Sequence, residues 1–485
     1  MSTNITKKEK ESLLFAGLTG FIGLFLLLLV LLIFISSYMI YDEVEHLRAA
    51  YYVSLGHLPY RDFFEHHHPL LWYIWSPFMF LLPHQTFTTL YITRAASLLV
   101  SLLTGVYIYK IEKKFIGGKV AGLICLCLYL ASFRSLQVLA YVKPDTYMRL
   151  FYFAGLFYLF KYFHYQKLRY LNFAVVAFFI GFCFLQTVVL QLLPLVLVCG
   201  CFLYRHRQAW PDFIKAGMLG FGLSALAFGY LYQQHILADY FTANWLFNAK
   251  LTPYLTAASL DKWKFIGLFI DMIIFAFVAV LWFVGKRKNN FYLMTITILF
   301  VAEFIQRLCG YVTYLHYLTF MLIYAAIIIA APLARWLRQY KTVLGLFFIW
   351  LGFKFCLQAY SYAIIPHNIS FYDEPEYKCA GLWCGIYQPH TSYYWMYPSI
   401  EAIHHIFYNT QYPYNLNQLI KTQKPQLLPN QNYSVRNREF EAIEKMYQLT
   451  PEQQKILQNH IFDTKILQNY DEIAPNVYRL KSTRP

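Results

Sequence analysis

Ser12–Tyr41 reads SLLFAGLTGFIGLFLLLLVLLIFISSYMIY, with no charged side chain in it. As a helix it is long enough to cross ~30 Å of hydrocarbon. Lys7, Lys8 and Lys10 precede it, and Asp42 and Glu43 follow it directly. A signal peptide has an apolar core of only ~7–15 residues and a small-residue cleavage site. Ser36-Ser37-Tyr38 is a poor cleavage site, so the stretch reads as an uncleaved first span with its lysines in the cytoplasm.

Further apolar runs follow, separated by two alternating kinds of connection. One kind is short and basic: Lys110/Lys113/Lys114, Lys161/Lys167/Arg169, Arg205/Arg207, Lys286/Arg287/Lys288 and Arg335/Arg338/Lys341. These connections are expected on the cytoplasmic side. The other kind is longer and rich in Tyr, His, Asp and Pro. Threading helices between them predicts about eleven spans, near 13–38, 88–109, 119–134, 146–161, 171–186, 188–204, 212–233, 264–285, 291–308, 314–334 and 342–365. An odd count puts the C-terminus outside. Of the 485 residues, 58% are apolar and 14% charged, against about 25% charged in soluble proteins. That excludes a water-soluble enzyme, a disordered chain and a fibrous repeat. The net charge of +16 fits loops held against an anionic bilayer and not a nucleic-acid partner, since no basic stripe is interleaved with stacking aromatics.

After Pro366 the chain becomes polar. Residues 366–485 are expected to form a small α+β extracytoplasmic domain, and 1–365 the multi-pass membrane domain. Thr450 is placed to cap a helix opening at Pro451. Cys379 and Cys384 read equally as a short disulfide or as two free thiols. The expected fold is therefore an all-α polytopic membrane protein with a small α+β tail.

The first outer loop, about 41–87, carries the densest chemistry. It contains Tyr41-Asp42-Glu43-Val44-Glu45-His46 and then Gly56-His57-Leu58-Pro59-Tyr60-Arg61-Asp62-Phe63-Phe64-Glu65-His66-His67-His68-Pro69-Leu70. A carboxylate at the membrane face often marks function. Asp42-x-x-Glu45 also has capping-box spacing, and cap and catalyst are compatible readings. Glu65-His66-His67-His68 offers metal ligands, but consecutive residues rarely converge on one ion. Donation to anionic phosphate oxygens by Arg61, His66, His67 and His68 is the expected use, with interfacial histidines as the plain alternative. In the second outer loop, about 134–145, Asp145 reads foremost as a helix N-cap, with Arg134, Lys143 and Arg149 around it. Asp42, Glu43 and Asp145 together suggest an acid/base site beside an anion pocket. Asp239, Lys250 and Lys262 in the loop near 234–262, and Arg307, Tyr311, Tyr314 and His316, are further candidate contacts for a lipid phosphate.

Tyr-Asp-Glu after the first span, followed by Gly-x-x-Pro-Tyr-Arg-Asp-Phe-Phe-Glu-His-His-x-Pro-Leu, resembles the first outer loop of the GT-C membrane glycosyltransferases. Among these it is most similar to bacterial members of the protein mannosyltransferase and aminoarabinose transferase superfamily. Lys143-Pro144-Asp145 resembles that family's Pro-Asp element, and Arg94-Ala-Ala-Ser also fits. The resemblance covers roughly residues 1–200 with recognisable motifs. It implies transfer of a sugar from a polyprenyl-phosphate carrier to a lipid (such as lipopolysaccharide), glycan or protein acceptor on the outer face of a bacterial inner membrane. By position, Asp42 matches the family's general base, Glu43 completes the Asp-Glu pair, and Asp145 matches the second-loop acid. His67-His68-Pro69 departs from the family's Lys-Pro-Pro or His-Pro-Pro and leaves the phosphate contact here open. No metal or other cofactor is required by this scheme, although a divalent ion remains possible. A flippase or a polymerase of lipid-linked saccharides is the alternative; a flippase predicts charges lining a path through the spans, where few are found, chiefly Glu303 and Asp271 deep in apolar runs.

Overall fold

The computed structural model describes residues 7–35, 41–82, 86–131, 139–251, 290–308, 319–363, 446–460, 463–474 and 477–481, with shorter stretches between 403 and 444. The described chain is mostly helical. In a bilayer this follows from the backbone, because a helix satisfies its own amides and carbonyls where no water is present. Four described helical stretches are long and apolar enough to cross a membrane: Thr88–Ile116, Val188–Arg205, Arg207–Gln233 and Thr319–Gln339. The expected span near 264–285 and the Cys379/Cys384 pair lie outside the described residues.

The chain divides into two compact units. The first comprises Met1–Ser36, Tyr91–Gly229 and Ser259–Pro366. Its helices are α1 (Lys7–Ile35), most of α4 (Thr86–Ile111), α5 (Lys119–Ala131), α6 (Pro144–Tyr165), α7 (Leu168–Phe184), α8 (Val188–Arg205), most of α9 (Trp210–Gln233), α11 (Phe291–Leu308), α12 (Thr319–Gln339) and α13 (Lys341–Ala363). Helix α12 is buried almost end to end and packs on α5. Helices α6 and α7 form a tight hairpin, turned at Gln166 in the left-handed region (φ 48°). Gly155 makes that hairpin possible, since a Cβ there would come within 2.5 Å of the Phe178 ring.

Polar groups bind the interior of this unit. Gln191 on α8 donates to the buried Glu303 on α11. The Tyr324 hydroxyl on α12 donates to the Tyr152 hydroxyl on α6 at 2.8 Å and lies 3.3 Å from Gln191 Oε1. A buried carboxylate placed this way crosslinks four helices.

The second unit comprises Ser37–Leu90, Tyr230–Ala258 and His367–Pro485. The segment expected as an outer loop, 41–87, contains two helices, α2 (Tyr41–Ser54) and α3 (Leu70–Leu81). With 12 residues, α3 is about 18 Å long, too short to span, and it packs on α2. Helix α10 (Leu237–Phe241) runs directly into a π-helical turn, Thr242–Phe247. Farther along, β1 (Leu427–Pro429), β2 (Tyr470–Ala474) and β3 (Val477–Leu480) form an antiparallel sheet in the order β1-β3-β2. The expected cap is present on α14 (Pro451–His460). Gln453 N–H donates to Thr450 Oγ1 at 3.3 Å, and Thr450 N–H to Gln453 Oε1 at 3.0 Å, a reciprocal capping box.

Candidate active site

Helix α2 opens with Asp42 and Glu43 in its first turn, where the helix dipole favours negative charge. Glu43 is buried and Asp42 is half-buried. Three positions beyond Asp42, Glu45 is buried, and its Oε1 lies 3.3 Å from Nδ1 of His67. The capping-box spacing thus serves a contact across the loop. Helix α2 ends at Ser54, and two residues on Gly56 adopts φ 87°, a conformation costly for residues with a Cβ. The chain then turns tightly. Asp62 Oδ2 accepts from Leu58 N–H at 2.7 Å, and Tyr60 sits at φ 70°.

This turn delivers the histidine run. Glu65 curls back on it: Oε1 accepts from the His66 amide (2.8 Å), from the His67 amide (3.2 Å) and from His67 Nδ1 (2.7 Å). The Tyr60 hydroxyl donates to the His67 carbonyl at 2.8 Å. His66 Nδ1 lies 2.9 Å from Asn248 Oδ1, and Asn248 Nδ2 donates to the His66 carbonyl, also at 2.9 Å. His68 is buried, with Nε2 2.9 Å from the Tyr240 hydroxyl. His46 on α2 receives the Trp72 indole N–H at 3.4 Å. Arg61 is exposed and pairs with Asp62 at 2.9 Å.

The electrostatics follow from burial. Burial and then the Glu65 charge push the Glu45 carboxyl up to about 7. Burial works against a charged His67, but the Glu65 and Glu45 carboxylates outweigh it and hold the imidazole well above its usual range. Glu45, Glu65, His66 and His67 each offer a ligand atom within 4.8 Å of the others, and they are the residues here that could hold a metal ion.

Of the remaining predicted residues, Asp239 and Lys250 belong to the second unit, and the others to the first. Lys143 occupies the N-cap position of α6, with Pro144 first in the helix and Asp145 in its first turn. The N-cap expected at Asp145 is therefore corrected: the fixed φ of proline suits the first helical position and puts the cap one residue before it. Asp145, Lys143, Arg149 and Arg94 are all buried in this unit. Arg149 Nη2 lies 3.2 Å from Thr146 Oγ1, and the Arg94 guanidinium stands 5.9 Å from the Tyr141 ring centre. Arg307 lies on α11, its side chain outside the described residues, as are Arg134, Lys262, Tyr311, Tyr314 and His316.

The structure thus joins His66, His67 and His68 with Glu45, Glu65, Tyr240 and Asn248. Sequence reasoning gave Glu45 only a capping role and did not single out Tyr240 or Asn248. The one available signal was Asn244-x-x-x-Asn248, two amides on one helical face of a polar outer segment.

Residues 66–230 match the family model of dolichyl-phosphate-mannose-protein mannosyltransferases. That stretch includes His66–His68, Lys143 and Asp145 and begins downstream of Asp42. No curated protein matches the chain significantly. Its fold is similar to the crystal structure of ArnT from Cupriavidus metallidurans bound to undecaprenyl phosphate, with a TM-score of 0.50 and 14% identity. The similarity covers 65% of this chain and 60% of that one, so less than two thirds of the relative is represented. In part of its sequence and in its fold, the chain resembles the GT-C superfamily. With its long apolar helices, this marks an integral membrane protein.

Proposed function

We propose that the chain is a membrane glycosyltransferase that moves a sugar from a polyprenyl-phosphate carrier to a lipid, glycan or protein acceptor on the outer face of the membrane. The observation that carries the reading is the opening turn of α2, where a half-buried Asp42 follows the first apolar helix and stands beside a buried Glu43. The match to a mannosyltransferase family model and the ArnT-like fold support the sugar and the carrier class. The wider topology belongs to the same proposal: eleven spans, a cytoplasmic N-terminus and an extracytoplasmic C-terminal domain in a bacterial inner membrane.

The chemistry is a direct displacement. Asp42 accepts the proton of the acceptor hydroxyl as its oxygen bonds to the anomeric carbon. The carbon–oxygen bond to the lipid phosphate breaks, and the phosphate leaves with the electron pair. It departs as an anion already, so it needs charge stabilisation more than a proton. Arg61 and the His66–His68 run are suited to provide it, and Glu43 to fix the orientation of Asp42. Lys143 joins them as a phosphate contact and Arg307 as a further candidate contact, while Asp145 retains the second-loop role that the family resemblance implies, each open to substitution.

The test is transfer in proteoliposomes from one defined polyprenyl-phosphate sugar to added acceptor lipid or peptide. Formation of glycosylated acceptor with release of polyprenyl phosphate supports the reading. Movement of intact donor across the bilayer with no transfer would replace it with a flippase. Glu303 is the residue that would favour that alternative, but its bond to Gln191 accounts for it as a crosslink between α8 and α11.

A further inference from the structure

We propose that Glu45, Glu65, His66 and His67 form a binding site for a divalent metal ion of the zinc class. Four ligand atoms, from two carboxylates and two imidazoles, lie within 4.8 Å of one another. Zinc takes imidazole nitrogen and carboxylate oxygen in a tetrahedral set at about 2.0–2.2 Å. Magnesium and calcium prefer all-oxygen sets, so the two imidazoles favour a first-row transition ion.

An independent observation points to a missing positive charge. Glu65 is fully buried. Its Oε1 is saturated by two amides and the His67 ring, while Oε2 has no hydrogen-bond partner. Buried carboxylate oxygens are ordinarily satisfied, and an orphan is the position a cation would take. A dication there would bond to the His67 nitrogen and to both carboxylates.

The surroundings are arranged as an outer shell. Asn248 donates through Nδ2 to the His66 carbonyl, so its Oδ1 faces His66 Nδ1, and that nitrogen carries the hydrogen. The lone pair of neutral His66 is then on Nε2. A ring whose second nitrogen is fixed by a carbonyl oxygen is the usual form of a metal-ligating histidine. Tyr60 pins the His67 carbonyl in the same way. The ion would tie α2, through Glu45, to the loop after Asp62. Asp42 is not among its ligands, and bound metal is read without any transfer assay, so failure of the site and failure of the proposed transfer are told apart.

The experiment uses the full-length chain in detergent, purified without a histidine tag, stripped with chelator and then titrated with Zn²⁺ alone. Bound metal is measured by elemental analysis and folding by thermal unfolding. The expected result is about one ion per chain, a higher Tm with Zn²⁺, and affinity at least ~10-fold weaker in Glu65→Gln and in His66→Ala. Cobalt in place of zinc is expected to give the intense visible bands of a four-coordinate site. His66 is half-buried, so His66→Ala keeps the test readable if Glu65→Gln does not fold. A folded chain that retains no zinc overturns the proposal. So does zinc binding of unchanged affinity in both variants, which would place the ion elsewhere.

Discussion

Asn248 grips His66 at two points, its Nδ2 on the His66 carbonyl and its Oδ1 against the ring nitrogen Nδ1, each at 2.9 Å. The two residues are 182 positions apart. This clamp fixes the ring and the backbone of the first histidine together. Asn248→Ala removes both bonds and is expected to cost roughly 1–3 kcal/mol. Asn248→Asp keeps an acceptor for the ring but loses the donor, and an intermediate loss is expected. Thermal unfolding of the two variants in detergent checks the order; equal Tm values for wild type and Asn248→Ala would contradict it.

Tyr60 holds the middle of the histidine run through its hydroxyl, 2.8 Å from the His67 carbonyl. Tyr60→Phe leaves the ring packing on Trp72 and Tyr240 in place and deletes the hydroxyl's bonds to the His67 carbonyl and the Asn244 side chain. A stability loss of about 1 kcal/mol is expected. Faster amide exchange confined to residues 65–68 is the measurement that would reveal the loosened segment.

Asp62 titrates with a definite sign. Partial burial alone would raise its carboxyl, but the Arg61 side chain and the Leu58 amide together hold it below its usual value. Its folded-state pKa is depressed, so its contribution to stability is present above about pH 4 and is lost as pH falls through the folded value. Both partners are partly solvated, so the contribution is within about 1 kcal/mol. Asp62→Ala is expected to be less stable than wild type at pH 7, the gap closing towards pH 3. A gap that widened with acid would contradict this.

Lys250 sits 4.2 Å from the Phe407 ring centre and 5.4 Å from that of Tyr447, and its carbonyl accepts the Tyr447 hydroxyl at 2.8 Å. These contacts tie the C-terminal region to the segment that carries Asn244 and Asn248. Tyr447→Ala removes the hydrogen bond and one aromatic face. Limited proteolysis is expected to cut the variant faster than wild type within 367–485, with the transmembrane portion left intact.

Gly155 meets the Phe178 ring so closely that Gly155→Ala must push that ring aside. Overpacking of this kind costs typically 1–3 kcal/mol. A drop in Tm is expected, and a smaller residue at 178, in Phe178→Leu, is expected to recover part of it. No recovery in the double variant would argue against the clash.

The helices of the first unit were largely legible from hydropathy. Helices expected at 188–204, 212–233 and 291–308 are observed as Val188–Arg205, Trp210–Gln233 and Phe291–Leu308, the first two of them long and apolar enough to cross a membrane. They succeeded because long apolar runs bounded by Lys, Arg or Asn have one stable form in lipid. Helix α3 was not anticipated: Leu70–Leu81 is apolar but too short to register as a span, and Pro77 interrupts it. Local motifs singled out Asp42, Glu43 and the histidine run, of which the structure joins the histidines into one cluster. They did not expose the role of Glu45, whose spacing to Asp42 imitates a cap, nor Asn248, whose partner lies across a distance no local pattern records. Asp145 stands two positions beyond the cap, at Lys143, because Pro144 claimed the first helical residue.

The central claim rests on the carboxylate of Asp42, and its most direct measurement is sugar transfer by Asp42→Asn in proteoliposomes. The substitution keeps the shape of the side chain and removes its capacity to accept a proton. A folded variant with a Tm near wild type and transfer reduced by ~100-fold or more is the predicted result. Transfer at the wild-type rate would contradict the account.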